Sequence, residues 1–177
     1  APNGLVDAGD RIEMIRLSFS NNPDLTVSDV ELNRSGPSYT IDTVRHFKST
    51  LPQDSELFLI LGLDAFLEID TWKSYKDLFL LIPFIVMSRS IDGEDGRVFW
   101  RKTVEDYLKS KISQGYTLSA SQSSYIHKEK QPVHIFDVTP IDISSTKIRT
   151  LIKKRSSIKS LVPDIVEAFI KSKGLYL

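Results

Sequence analysis

Glu56-Leu57-Phe58-Leu59-Ile60-Leu61, followed at once by Gly62-Leu63-Asp64, is the stretch on which the fold turns. After its one charge the run is continuously apolar, short, and closed by a glycine. That is the pattern of a strand buried on both faces, as in a parallel sheet covered by helices. On its N-terminal side, Gly36-Pro37 signals a turn. From Ser38 or Thr40 onward, Ile41, Val44, Phe47 and Leu51 recur at helical spacing. On its C-terminal side, Asp64 to Ile69 and Trp72 to Leu80 predict two short helices, and Pro83 to Met87 predicts a second buried strand. Further out, Asp10 to Asn21 reads as an amphipathic helix with Asp10 as its N-cap and Ile12, Ile15, Leu17 and Phe19 as its apolar residues. Leu25 to Leu32, rich in Val, reads as a short strand, and Ser90 to Arg97 as a polar loop. Val98 to Ile112 reads as a helix, Ser113 to Gln131 as a loop or weak strand pair, and Val133 to Val138 as a strand. Ser144 to Lys154 and Pro163 to Lys173 are predicted helices, the latter ended by Gly174. Strands alternating with helices predict an α/β fold with a mainly parallel sheet and helices on both faces. No internal repeat or linker appears, so residues 1–177 are expected to form a single domain.

Composition narrows the function classes. Of 177 residues, 41% are hydrophobic and 26% charged, which suits a globular protein and not a disordered chain. Lys plus Arg number 23 and Asp plus Glu 23, so the formal net charge is zero. A general nucleic-acid binder, or a binder of acidic membranes, would carry a basic excess. With no cysteine, a disulfide framework, a thiol nucleophile and a Cys-type zinc site are excluded. No apolar run reaches membrane-spanning length, since Pro83 breaks the longest, Leu78 to Met87. A cytoplasmic protein is expected. Ala1 in place of Met, with no element expected to start in the first ten residues, suits a processed or truncated beginning.

Ligands of parallel sheets bind beyond the carboxyl ends of the strands, so the residues after each strand matter most. Gly36-Pro37-Ser38-Tyr39-Thr40 opens a helix whose first N–H groups would attract a carboxylate or phosphate, although taken alone the segment reads first as a plain Ser or Thr N-cap. Gly62 permits close backbone approach, and Asp64 suits ribose hydroxyls or, again, a helix cap. Trp72 suits stacking on a planar ring or a place in the core. Arg89 suits a phosphate or plain solvent. Ser144-Ser145-Thr146 with Arg149 one turn on gathers hydroxyls, helix-start N–H groups and a guanidinium, which is the chemistry of a phosphate clamp. His46, His127 and His134 have neither metal nor triad spacing, and His46 is expected on a helix surface. Asp92 and Glu94-Asp95 read as solvated. The G-x-G-x-x-G and G-x-x-x-x-G-K-S/T fingerprints are absent.

In order along the chain, GPSYTIDT (36–43), ILGLDAFLEIDTW (60–72), VMSRS (86–90), ISSTKIR (143–149) and LVPDIVEAFIKSKGLY (161–176) resemble the bacterial nicotinate-nucleotide adenylyltransferases, with RIEMIRLSF (11–19) fitting the helix before them. ISSTKIR marks the wider nucleotidyltransferase superfamily. The resemblance implies a Rossmann-like α/β fold and transfer of AMP from ATP to nicotinate mononucleotide, giving nicotinate adenine dinucleotide and pyrophosphate, with Mg²⁺ accompanying ATP. It implies that Tyr39 and Thr40 receive the pyridine carboxylate, Trp72 stacks on the pyridine ring and Asp64 holds the ribose. It further assigns ATP to Gly62, Arg89, Ser144, Ser145, Thr146 and Arg149, with Arg149 the catalytic cation on the phosphates. No protein metal ligand, nucleic acid or membrane is implied, and a homo-oligomer is compatible with it.

Three departures accompany the resemblance. Nothing here matches the leading strand, G-x-F-D/N-P-x-H-x-G-H loop and helix of the family, a unit of about fifty residues on the usual size of a βαβ half. A fragment, or a segment cut away, is the expectation. Ser90 stands where Pro is usual, and Lys73 where an aromatic is common. Two rival readings follow: an enzyme using nicotinamide mononucleotide or both mononucleotides, and a non-catalytic nucleotide-binding domain that kept only the mononucleotide site.

Overall fold

Phe84–Ser88 (β2) is the strand around which the sheet is built, in a computed structural model that describes residues 5–88, 93–121 and 123–177, and of 93–98 the backbone alone. Leu59–Gly62 (β1) pairs with it in parallel on one side and Val133–Asp137 (β5) in parallel on the other. Ser124–Ile126 (β4) then adds antiparallel to β5, and Thr117–Leu118 (β3) antiparallel to β4, giving the order β1-β2-β5-β4-β3. The sheet is therefore mixed: its three longest strands are parallel, and the weak strand pair expected between residues 113 and 131 forms its antiparallel margin.

Contacts divide the chain into two units, Pro37–Pro140 and Ala1–Gly36 with Ile141–Leu177. The first holds the whole sheet together with Thr40–Thr50 (α2), Leu63–Phe66 (α3), a 3₁₀ turn at Ile69–Thr71, Tyr75–Leu81 (α4) and Gly93–Tyr107 (α5), the last running on into a π-helical turn at Leu108–Ile112. Its core is aromatic. Phe66, Phe79 and Phe84 are fully buried, with ring centroids 4.5 to 6.2 Å apart, and Ile41, Val104 and Tyr116 close around them. The second unit holds Ala8–Ser18 (α1), Ser145–Lys153 (α6) and Asp164–Lys173 (α7), with a smaller core of Ile152, Ile158, Val166, Ile170 and Leu175.

Several expectations are corrected. Leu25 to Leu32 is no strand; Leu25 and Leu32 are exposed and the segment ends in a turn, for an extended segment without a neighbouring strand has no ladder to join. The first helix begins inside the first ten residues and is capped by Asp7, whose carboxylate accepts the Gly9 N–H at 2.7 Å; Asp10 lies in its first turn. Met14 and Leu17 pack inward on α1, while Ile15 and Phe19 are exposed. The decisive apolar run is shorter as a strand than expected and buried on one face only: Leu59 and Leu61 pack on the core, whereas Ile60 is 56% exposed. Among the described residues β1 stands at one end of the strand order, and the face that carries Ile60 is left open. Part of the expected loop at 90–97 is helix, since α5 starts at Gly93. Asp92 and the side chains of Glu94 and Asp95 lie outside the described residues. Among the described residues, no helix is long and apolar enough to cross a membrane.

Candidate active site

Gly36 turns the chain with φ at 81°, a left-handed conformation that glycine adopts without strain. Tyr39 follows in extended conformation as the N-cap of α2, and its side chain makes no capping hydrogen bond. The expected Ser or Thr cap is thus not what starts this helix. The carbonyl of Tyr39 accepts from Asp42 and Thr43, as a helix start requires. The N–H groups of Thr40 and Ile41, ahead of them, have no intrahelical acceptor by construction. This positive helix end opens on a cleft of ≈ 260 Å³ lined by Ser38, Tyr39, Thr40, Thr71, Trp72 and Lys73. Segments thirty residues apart in sequence thus meet at one place.

The far wall of the cleft is held from behind. Ile69 is fully buried. The Asp70 N–H donates to Tyr107 Oη at 3.0 Å, and that hydroxyl donates to Asp70 Oδ1 at 2.7 Å. Lys111 Nζ stands 3.6 Å from Asp70 Oδ2. The Tyr107 hydrogen bond, aided by the Lys111 charge, holds the Asp70 carboxyl below its ordinary range. Burial, and then the hydrogen bond to Asp70, push the Tyr107 phenol well above its own. This clasp ties the 3₁₀ turn to α5 and so fixes where Thr71 and Trp72 begin. Trp72 is half-buried and packs on the core. Lys73 reaches across: its Nζ lies 4.2 Å from the Tyr39 ring centroid and 3.4 Å from Asp42 Oδ2.

Gly62 ends β1 with φ at −70°, which any residue adopts; what it supplies is room, since a Cβ there would meet nothing within 4 Å. Asp64 is exposed in the first turn of α3. Neither lines the cleft of Tyr39 and Trp72. Arg89 lies outside the described residues.

In the other unit, Ile148, Leu151 and Ile152 seat α6 on the core, which leaves its N-terminal turn exposed. Ser144 is the N-cap, its hydroxyl accepting from the Lys147 N–H at 3.1 Å. Arg149 Nη2 donates to Thr146 Oγ1 at 3.2 Å. Capping and convergence therefore fall on different residues: Ser144 ends the helix, Thr146 and Arg149 meet one turn later, and Ser145 is exposed between them. Lys147, unremarked in the sequence, pairs with Asp142 at 2.8 Å and holds that carboxyl below its usual range. Lys73, noted in the sequence only as a departure from a position where an aromatic is common, is given no role there; the structure places it in the cleft.

Solved structures establish the fold. The nicotinic acid mononucleotide adenylyltransferase of Plasmodium falciparum, complexed with APC or with NaAD, superposes on this chain with a TM-score of 0.63 at 18% identity, covering 97% of it and 77% or 75% of that protein. A mixed five-stranded sheet flanked by helices thus matches a Rossmann-like nucleotidyltransferase fold. The model of the cytidylyltransferase-like family matches residues 2–151. A protein of Desulfatibacillum aliphaticivorans named "Probable nicotinate-nucleotide adenylyltransferase" is 40% identical over 96% of this chain and 76% of its own length. One of the same name from Geotalea daltonii is 36% identical over 94% and 73%. The chain belongs to the cytidylyltransferase-like family and, within it, to the nicotinate-nucleotide adenylyltransferases.

Proposed function

We infer that this chain transfers the adenylyl group of ATP to nicotinate mononucleotide, a step of NAD synthesis. The observation that carries the reading is the 40% identity to a nicotinate-nucleotide adenylyltransferase over nearly the whole chain. An oxygen of the mononucleotide phosphate attacks the α-phosphorus of ATP. One P–O bond forms, the bond from the α-phosphorus to the bridging β-oxygen breaks, and pyrophosphate departs with that electron pair. No protein nucleophile is needed; the chain's task is to align two phosphates and offset their charge.

In this reading the helix start at Tyr39, the N-cap, and Thr40, the first helical residue, receives the pyridine carboxylate, Trp72 stacks on the ring and Asp64 binds the ribose hydroxyls. Gly62 leaves room for the nucleotide backbone. Ser144, Ser145, Thr146 and Arg149 hold the phosphates of ATP, Arg149 supplying the charge, and Arg89 adds a phosphate contact on the strength of the sequence alone. Residues 1–177 act as one nucleotidyltransferase domain. Among the described residues, no group of three or more His, Asp or Glu side chains is placed to hold a metal ion. Mg²⁺ is assigned to the ATP phosphates as part of that substrate, which is how this ion is usually bound. Dependence on ATP puts the protein in the cytoplasm. The test is to incubate the protein carrying this chain with ATP, Mg²⁺ and nicotinate mononucleotide, and to follow the dinucleotide and pyrophosphate. Equimolar appearance of both is expected; ATP hydrolysis to AMP without dinucleotide would overturn the reading.

A further inference from the structure

We propose that Lys73 is the residue that makes this chain prefer the acid mononucleotide, its ammonium forming a charged pair with the pyridine carboxylate beside the start of α2. The proposal rests on the reading of the cleft as the mononucleotide site. A helix start alone attracts an anion but carries only about half an elementary charge, and its N–H groups would also donate to the carbonyl oxygen of an amide. A full positive charge distinguishes the two ligands far more sharply, because an amide has none to offer in return. Of the six residues lining the cleft, Lys73 is the only cation. It is also directed: the Nζ rests over the Tyr39 ring at 4.2 Å and against Asp42 at 3.4 Å, so its stem is drawn toward the N-terminus of α2. An ammonium has three donors. The long contact with Asp42 leaves it able to serve a second carboxylate, and half of the side chain remains exposed to receive one. Trp72, the next residue back, would present the ring whose carboxylate Lys73 meets.

A rival role for Lys73 is purely structural, tying the turn after Trp72 to α2 through Asp42. The two roles separate in the ratio of acid to amide. Steady-state kcat/KM with nicotinate mononucleotide and with nicotinamide mononucleotide is to be measured for the wild type, Lys73→Met, Lys73→Arg and Asp42→Asn, with dissociation constants of both ligands by calorimetry. Lys73→Met is expected to reduce kcat/KM for the acid about tenfold to a hundredfold, the size of a lost charge-assisted hydrogen bond, through KM. The acid-to-amide ratio should fall by a similar factor, and Lys73→Arg should restore most of it. Asp42→Asn breaks the tie but keeps the cation, so its ratio is expected to stay within about threefold of wild type. Equal losses for acid and amide in Lys73→Met, matched by Asp42→Asn, would reduce Lys73 to the structural tie and overturn the proposal. If the wild type neither binds nor turns over either mononucleotide, the functional reading itself fails, which is a different result from an active wild type indifferent to Lys73.

Discussion

Trp72 and Arg149, both assigned to the proposed site, are expected to fail differently. Trp72 is half-buried, so its removal takes away a stacking surface and some core contact together. Trp72→Ala is expected to weaken nicotinate mononucleotide binding by about 1–3 kcal/mol, by analogy with base–aromatic stacking, read by calorimetric titration. Arg149 is held by a hydrogen bond to Thr146 on its own helix. Arg149→Ala is expected to reduce turnover by at least tenfold while leaving mononucleotide affinity within about twofold, because in the proposed site the lost charge serves ATP. Normal turnover in that variant would remove Arg149 from the phosphate site. Residue types at these positions were legible in the sequence; their engagement was not. Ser144, Ser145 and Thr146 look alike as letters, yet Ser144 caps the helix and Thr146 meets Arg149. A hydroxyl's partner depends on helix phase, and a shift of one residue turns it by a hundred degrees.

At the scale of elements, the clasp between the 3₁₀ turn and α5 is what the site leans on. Asp70 is ionised more readily in the folded protein than in the unfolded chain. A carboxyl with a depressed folded pKa contributes stability that is fully present above its ordinary value near 4 and is lost as pH falls through the folded value. Asp70→Asn is therefore expected to flatten the acid limb of the stability curve below about pH 4, measured as the urea midpoint against pH, with a smaller difference from wild type at the acid end than at neutrality. An unchanged acid limb would assign the acid sensitivity to other carboxyls. Helices with a clear apolar period, α2, α6 and α7, lie within a residue or two of their expected bounds, because a 3.6-residue repeat is local information. The strands β2 and β5 match as closely, but others do not. Leu25 to Leu32 had the composition of a strand but no partner, and strand identity resides in the partner.

For the molecule as a whole, two cores carry the fold, and the larger one stands behind the cleft. Phe66 touches Phe79, Phe84 and Tyr107, and Tyr107 is the residue that clasps Asp70. Phe66→Ala is expected to cost about 3–5 kcal/mol of stability, read by denaturant unfolding, and to loosen the Trp72 wall as well, seen as weaker mononucleotide binding in whatever fraction stays folded. Sequence by itself determined the alternation of strands and helices, the order of the motif segments, and the residue types able to meet a carboxylate, a ring and a phosphate, because all of these are written in local periodicity and side-chain chemistry. Only tertiary structure decided that β1 closes one end of the strand order, that Tyr39 and Thr40 share a cleft with Trp72, and that Lys73 is the cation between them. Those facts depend on which distant segments pack together, and packing of distant segments is set by the burial of the whole core, a quantity that no single stretch of chain contains.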